Sequence, residues 1–253
     1  MVTRREFIKG LSAITMAGIF PEVEAEAKEP FFLILTGQSN GSAGVTQDLE
    51  RKYRFVPPRM KYYNGYYGKE MQFWESDRFG PEVPIAWEFA SRNPTQPIYI
   101  LKYVWGGTSI QQWAPDDNGK RPPRYNYLMT HIRRFAPEGK LKIFLNLVQG
   151  ERDARSYDLA SVWDIWTGRF VNSLREDLNC PEMPVLFSES NPPFPYVELL
   201  QERQRAFAES DKNAHIFRMA GLKKRSDGIH LTSESEWIMG YNRMAPRMYI
   251  ETE

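Results

Sequence analysis

The chain has 253 residues, of which 42% are hydrophobic, 14% aromatic and 26% charged, and its formal net charge is +1. That apolar and aromatic content excludes a disordered or low-complexity chain, and 17 glycines are far too few for a collagen-like one. The near-neutral balance lacks the basic stripe that binds nucleic acid, so no nucleic-acid partner is expected, and Cys180, the single cysteine, has no second thiol for an intramolecular disulfide.

In chain order the first element is an address rather than fold. Thr3-Arg4-Arg5-Glu6-Phe7-Ile8-Lys9 precedes a short apolar run over 11–20, and Ala25-Glu26-Ala27 offers a small-x-small cleavage site. The run is about ten residues, half of what a bilayer crossing needs, so residues 1–27 are expected to be a cleaved export signal and not a membrane anchor. The paired arginines followed by Phe and a basic residue resemble the bacterial twin-arginine signal; a Sec signal with two chance arginines is the alternative. Either places the product, residues 28–253, in the periplasm or outside the cell, without stable membrane insertion.

The remainder alternates β-type and α-type patterns. Apolar runs over 31–35, 98–104, 143–148, 185–187 and 215–219 read as strands, and helix-type segments lie at 85–92, 127–135, 159–178, 196–209 and 234–249. Strand runs that are apolar on both faces, each followed by a helix, predict a parallel sheet covered on both sides. The expected fold is a single α/β domain over 28–253: a three-layer α/β/α sandwich with a mostly parallel five-stranded sheet. The stretch 47–84, rich in Tyr, Pro and Gly, reads as loop with a short strand near 61–63.

Ligands of such sheets bind at the carboxyl ends of the strands, and the residues there are small and polar. The first run ends in Gly37-Gln38-Ser39-Asn40-Gly41, a G-x-S-x-G that sets a serine on a sharp strand-to-helix turn. A serine nucleophile needs a base, and the chain has only three histidines. His131 falls in a helical pattern and His215 at a strand edge, whereas His230 lies in the loop Ser226-Asp227-Gly228-Ile229-His230. An Asp three residues before a His can accept the Nδ1 hydrogen bond on a turn and leave Nε2 for the serine. Ser39, His230 and Asp227 are therefore the expected catalytic residues. Donors for an oxyanion are expected from the Ser39 N–H, the Gly107 N–H in Trp105-Gly106-Gly107-Thr108-Ser109 and the side-chain amide of Gln149 in Gln149-Gly150-Glu151-Arg152-Asp153.

Taken together, G-Q-S-N at 37–40, G-P-E at 80–82, W-G-G-T-S at 105–109, Q-G-E-x-D at 149–153 and D-G-I-H at 227–230 resemble the SGNH hydrolases of the sialate O-acetylesterase and acetylxylan esterase group, carbohydrate esterase family six. The resemblance spans residues 31–237 and implies a flavodoxin-like sandwich that hydrolyses O-acetyl esters on sugars or polysaccharides, with no metal or other cofactor. It also implies the roles assigned above to Ser39, His230, Asp227, Gly107 and Gln149. Arg152 departs from the family pattern, which often has Ser there, and so does Gly41, where a larger apolar residue is common. The α/β-hydrolase fold fits less well, since its serine follows a mid-sheet strand and its acid and histidine come from separate loops.

Substrate contacts are expected from Gln38 and Asn40 beside the serine, from Arg152, and from aromatic residues, chiefly Trp105 and Trp113, with Trp74, Tyr62, Tyr63, Tyr66 and Tyr67 as further stacking candidates. Two other readings stay open at this point. One is a non-catalytic carbohydrate-binding protein on the same fold; the other is a lipase or thioesterase that uses the same triad.

Overall fold

The computed structural model describes residues 29–250, so the expected export signal lies outside the described residues. The strands are β1 (Phe31–Gly37), β2 (Gly44–Val45), β3 (Met60–Asn64), β4 (Lys69–Glu70), β5 (Arg78–Phe79), β6 (Ile98–Val104), β7 (Lys142–Val148), β8 (Val185–Glu189) and β9 (Ala214–Arg218). The helices are α1 (Glu82–Arg92), α2 (Pro123–Phe135), α3 (Tyr157–Ala160), α4 (Trp163–Asp177), α5 (Val197–Ser210), α6 (Ser233–Ile238) and α7 (Ala245–Ile250).

A seven-stranded sheet of order β4-β3-β6-β1-β7-β8-β9 forms the middle layer, parallel except for β4. The expected sheet had five strands; the two additions are β3, which pairs in parallel with β6, and the two-residue β4. β4 escapes the sequence pattern because Lys69 and Glu70 are polar and exposed, as suits an edge strand. A separate β2–β5 pair lies in the 44–79 segment.

β1 sits at the centre, with Leu33 level with Ile100 of β6 and Phe144 of β7. Its side chains alternate between two buried layers: Phe31, Leu33 and Leu35 pack with Phe89 of α1 and with Met244 and Met248, whereas Phe32 and Ile34 pack with Leu128, Trp163, Phe170 and Phe207 from α2, α4 and α5. Burial on both faces is why this strand reads as an unbroken apolar run.

Two helix expectations are corrected. The segment 159–178 is α3 followed by α4, separated at Ser161-Val162. The segment 234–249 is α6, a π-helical turn over Met239–Met244, and α7. At Gly240 a Cβ would lie 2.4 Å from Pro84 Cγ and 2.6 Å from the Pro81 carbonyl, so this turn presses directly on the start of α1. No helix among the described residues is long and apolar enough to cross a membrane.

Candidate active site

Ser39 stands where β1 stops. Gly37 takes φ of +117°, and a Cβ on it would fall 2.1 Å from the Val148 carbonyl, so only glycine fits this exit from the sheet. The turn is pinned on both sides, with Gln38 N–H donating to Val148 O at 2.8 Å and Trp105 N–H donating to Gly37 O at 2.8 Å. Ser39 then opens a single 3₁₀ turn, Ser39–Gly41. A Cβ on Gly41 would sit 2.8 Å from Val104 Cγ1, so Val104 fills the space a side chain at this position would need.

His230 arrives on a loop between β9 and α6. The loop folds on itself through Arg225 N–H to His230 O at 2.7 Å, Gly228 N–H to Arg225 O at 2.9 Å and a bridge between Lys224 and Leu231. Asp227 Oδ1 accepts from the N–H groups of Ile229 (2.8 Å) and His230 (2.9 Å), which leaves Oδ2 for His230 Nδ1 at 2.7 Å. His230 Nε2 lies 3.0 Å from Ser39 Oγ. The hydrogen bond from His230 and the two backbone donors hold the Asp227 carboxyl well below the usual carboxylate range, although Asp227 is exposed. The three residues expected from the sequence are thus brought into one hydrogen-bonded line.

Behind the serine turn lies a buried acid whose part the sequence did not reveal. Glu151 accepts from Asn40 Nδ2 at 2.6 Å and from Gln38 Nε2. Asn40 also donates to Ile229 O at 3.2 Å and accepts from Leu231 N–H at 3.0 Å, so it grips both neighbours of His230. Burial raises the Glu151 carboxyl, and the amide donors oppose that rise. Gln38 and Asn40 were expected at the substrate; both are buried and hold Glu151, and Gln38 lines the cleft beside Ser39, whereas Asn40 lies off it and ties the two loops together. An ionisable residue three positions beyond the end of a buried strand is the signal that could have pointed to Glu151.

The donor set also differs from expectation at one member. Gln149 Nε2 donates to Thr108 O at 2.6 Å and to Asp153 Oδ2 at 3.1 Å, so both its hydrogens are committed and none faces an oxyanion. Its amide instead fixes the turn that carries Gly107. Asp153 in turn accepts from Ile110 N–H at 3.1 Å, and burial pushes its carboxyl up to about 7. Gly107, at φ +70°, is exposed beside Ser39, and a Cβ on Gly106 would lie 3.6 Å from Ser39 Cβ.

Ser39, Gly107 and His230 line an open cleft of about 390 Å³, with Arg152, Arg155 and Phe194 on its far lip. Arg155 rests its guanidinium 4.1 Å from the centre of the Phe194 ring, and both arginines are exposed. Trp113, an expected sugar contact, is fully buried and donates from Nε1 to Thr108 Oγ1 at 3.0 Å; it offers no surface to a substrate. Tyr62 and Tyr63 are buried too, whereas Trp105, Tyr66, Tyr67 and Trp74 are exposed. His131 sits under β3, with Nδ1 at 3.2 Å from Tyr63 Oη, and His215 lies on β9, both away from the cleft. No cluster of metal-ligating side chains occurs among the described residues.

The family described as carbohydrate esterase, sialic acid-specific acetylesterase matches residues 31–250. A probable carbohydrate esterase of Arabidopsis thaliana is 24% identical over 248 residues, covering 87% of this chain and 91% of its own length. The solved structure of an Arabidopsis thaliana protein superposes with a TM-score of 0.71 at 19% identity, over 88% of this chain and 98% of that one. A carbohydrate acetylesterase from Xanthomonas citri superposes with a TM-score of 0.68 at 15% identity, over 88% of this chain and 57% of that one. For NanS the TM-score is 0.63 at 13% identity, over 89% and 98% of the two chains. At these identities the structural likenesses establish the fold.

Proposed function

The chain belongs to the carbohydrate esterase, sialic acid-specific acetylesterase family and is a carboxylic ester hydrolase; from that premise we propose that it removes O-acetyl groups from carbohydrates through Ser39, His230 and Asp227. The observation that carries this reading is the line from Asp227 Oδ2 to His230 Nδ1 (2.7 Å) and from His230 Nε2 to Ser39 Oγ (3.0 Å), set at the mouth of a solvent-open cleft.

In the proposed reaction His230 Nε2 takes the Ser39 hydroxyl proton as Oγ attacks the acetyl carbonyl. Asp227 holds the imidazole in the tautomer with its proton on Nδ1 and stabilises the cation that forms. The Ser39 and Gly107 N–H groups receive the oxyanion, and such donors contribute about 3 kcal/mol each to barrier lowering. Collapse expels the sugar oxygen, which takes the proton from His230 Nε2 and leaves an acetyl ester on Ser39. Water, deprotonated by His230, then releases acetate and restores the serine. Arg152 and Arg155 on the lip give the cleft a cationic flank, which supports a sugar bearing a carboxylate over a neutral one. Export across a bacterial membrane, read from residues 1–27, completes the proposal.

The test is labelling by a fluorophosphonate probe together with acetate release from O-acetylated sialic acid and O-acetylated xylan. Labelling and acetate release that both vanish in Ser39→Ala are expected. An active Ser39→Ala protein would overturn the scheme, and equal rates on charged and neutral sugars, unaltered by Arg152→Ser, would remove the arginines from substrate choice.

A further inference from the structure

Aromatic side chains exposed singly are ordinary, but a contiguous set beside a cleft calls for a physical account. Trp105, Tyr66 and Tyr67 form such a set. The Tyr66 and Trp105 ring centres lie 6.1 Å apart and those of Tyr66 and Tyr67 5.2 Å apart, with all three rings exposed. Trp105 directly precedes Gly106, which packs against Ser39, so the set begins at the wall of the cleft.

The fold builds this ledge deliberately. β1, β6 and β3 are neighbours and run parallel, so Ser39, Trp105 and Tyr66 all follow the carboxyl ends of their strands on the same side of the sheet. Strands are spaced about 4.8 Å apart, which places the Tyr66 turn roughly 10 Å from the serine, the reach of a sugar ring linked to the one that carries the ester. The turn is held from beneath: Gly65 N–H donates to Lys102 O at 2.7 Å, Tyr66 N–H donates to Asn64 Oδ1 at 3.1 Å, and Gly68 N–H donates to Asn64 O at 2.8 Å. A Cβ on Gly65 would come within 2.8 Å of the Tyr103 ring, so the backbone is seated hard on the buried Tyr103. The Arg124 guanidinium lies 4.7 Å from the Trp105 ring centre and steadies the indole by cation–π attraction.

From this we infer that Trp105, Tyr66 and Tyr67 form a subsite for a second sugar ring, so that the esters acted on are carried by oligosaccharides or polysaccharides in preference to free monosaccharides. The inference rests on the carbohydrate-esterase reading and deepens it. The apolar C–H face of a pyranose lies flat on an aromatic ring, while Tyr hydroxyls and the Arg124 cation meet its oxygens at the rim. A short acyl chain bound alone would need no such ledge, because the acetyl group ends in the cleft itself.

The experiment compares kcat/KM for O-acetylated trisaccharides of xylose, mannose and sialic acid with the corresponding O-acetylated monosaccharides. At least one trisaccharide is expected to exceed its monosaccharide by about tenfold or more. Tyr66→Ala and Trp105→Ala should each erase that ratio through KM, and Trp105→Phe, which keeps a ring, should restore most of it. Calorimetric titration of the Ser39→Ala protein with the same pairs reads the subsite without turnover. Tighter binding of a trisaccharide combined with no acetate release from any sugar by the unsubstituted protein would sink the esterase reading and keep the subsite. Equal binding of all trisaccharides and monosaccharides overturns the subsite whatever the activity. A dimer that Tyr66→Ala dissociates would assign the rings to self-association and overturn it as well.

Discussion

Asn40 accepts a hydrogen bond from the Leu231 N–H at 3.0 Å, tying the residue after Ser39 to the residue after His230 across 191 positions of the chain. Its Nδ2 holds Glu151 and the Ile229 carbonyl in the same grip. The distance between serine and histidine is therefore set by one buried amide that itself faces away from the substrate.

Replacing Asn40 by Ala removes these bonds and leaves Glu151 short of a donor in a buried site, a loss of about 1–3 kcal/mol in stability. The larger expected effect is on turnover: kcat falls about 10²-fold because the pair drifts from its reactive geometry, with KM little altered. Steady-state kinetics with an O-acetyl sugar, alongside urea unfolding, separate the two effects. A loss of stability with kcat intact would make Asn40 a purely structural residue.

Asp227→Asn keeps the side-chain shape but allows the imidazole to settle in the wrong tautomer, so kcat is expected to drop by about 10²-fold or more. Stability has a defined sign here. The folded carboxyl is held below its unfolded value, so its contribution is present above the ordinary carboxylate range and is lost as pH falls through the lower folded value. Melting temperatures of the two proteins should accordingly differ at pH 7 and converge as the solution is acidified below about pH 4. A difference that persists unchanged in acid rules out the ionised Asp227 as its source.

Asp153 behaves in the opposite sense. Burial raises its carboxyl to about 7, so its contribution is complete below the unfolded value, about 4, and is lost as pH rises through about 7. Asp153→Asn abolishes that titration, and the decline of the urea midpoint between pH 5 and pH 8 should flatten. The same change sets an NH₂ against one of the two donors, Gln149 Nε2 or the Ile110 N–H, loosening the loop that carries Gly107 and cutting kcat about tenfold at every pH. Identical pH slopes for the two proteins would exclude Asp153 from the linkage.

A second buried network lies on the other side of the serine turn. Lys102 Nζ and Glu82 Oε1 pair at 2.7 Å with both side chains buried; Glu82 also accepts from Gly80 N–H at 3.1 Å, and Glu236 accepts from Ala43 N–H at 3.1 Å. Burial, together with the charge of Glu82, drives the Glu236 carboxyl upward, so a single lysine serves two acids. Lys102→Met strands the Glu82 charge and is expected to cost about 3–5 kcal/mol. Adding Glu82→Gln should recover most of that loss in chemical unfolding; no recovery would mean that Lys102 acts by packing alone.

Features written in short stretches of chain were legible without coordinates. β1 is apolar on both faces, the glycines of Gly37-Gln38-Ser39-Asn40-Gly41 permit the sharp exit, and an Asp three residues before His230 is within reach on any tight turn. Each of these follows from backbone geometry over fewer than ten residues, so local chemistry alone determines it.

Where a polar side chain aims was another matter. Gln149 has two donors, and whether they face an oxyanion or Thr108 and Asp153 depends on the packing of β7 against the loop that follows β6. Gln38 and Asn40 flank the serine in sequence, yet both amides are committed to Glu151, buried beneath them. The same holds for the tryptophans eight residues apart: Trp105 lies on the exposed rim and Trp113 in the core, because α2 and α4 close over one and not the other. Local chain chemistry dictates the catalytic residue types and the strand ends that carry them; which donors remain free follows from packing, since a buried polar group must satisfy its hydrogen bonds with whatever the fold brings beside it.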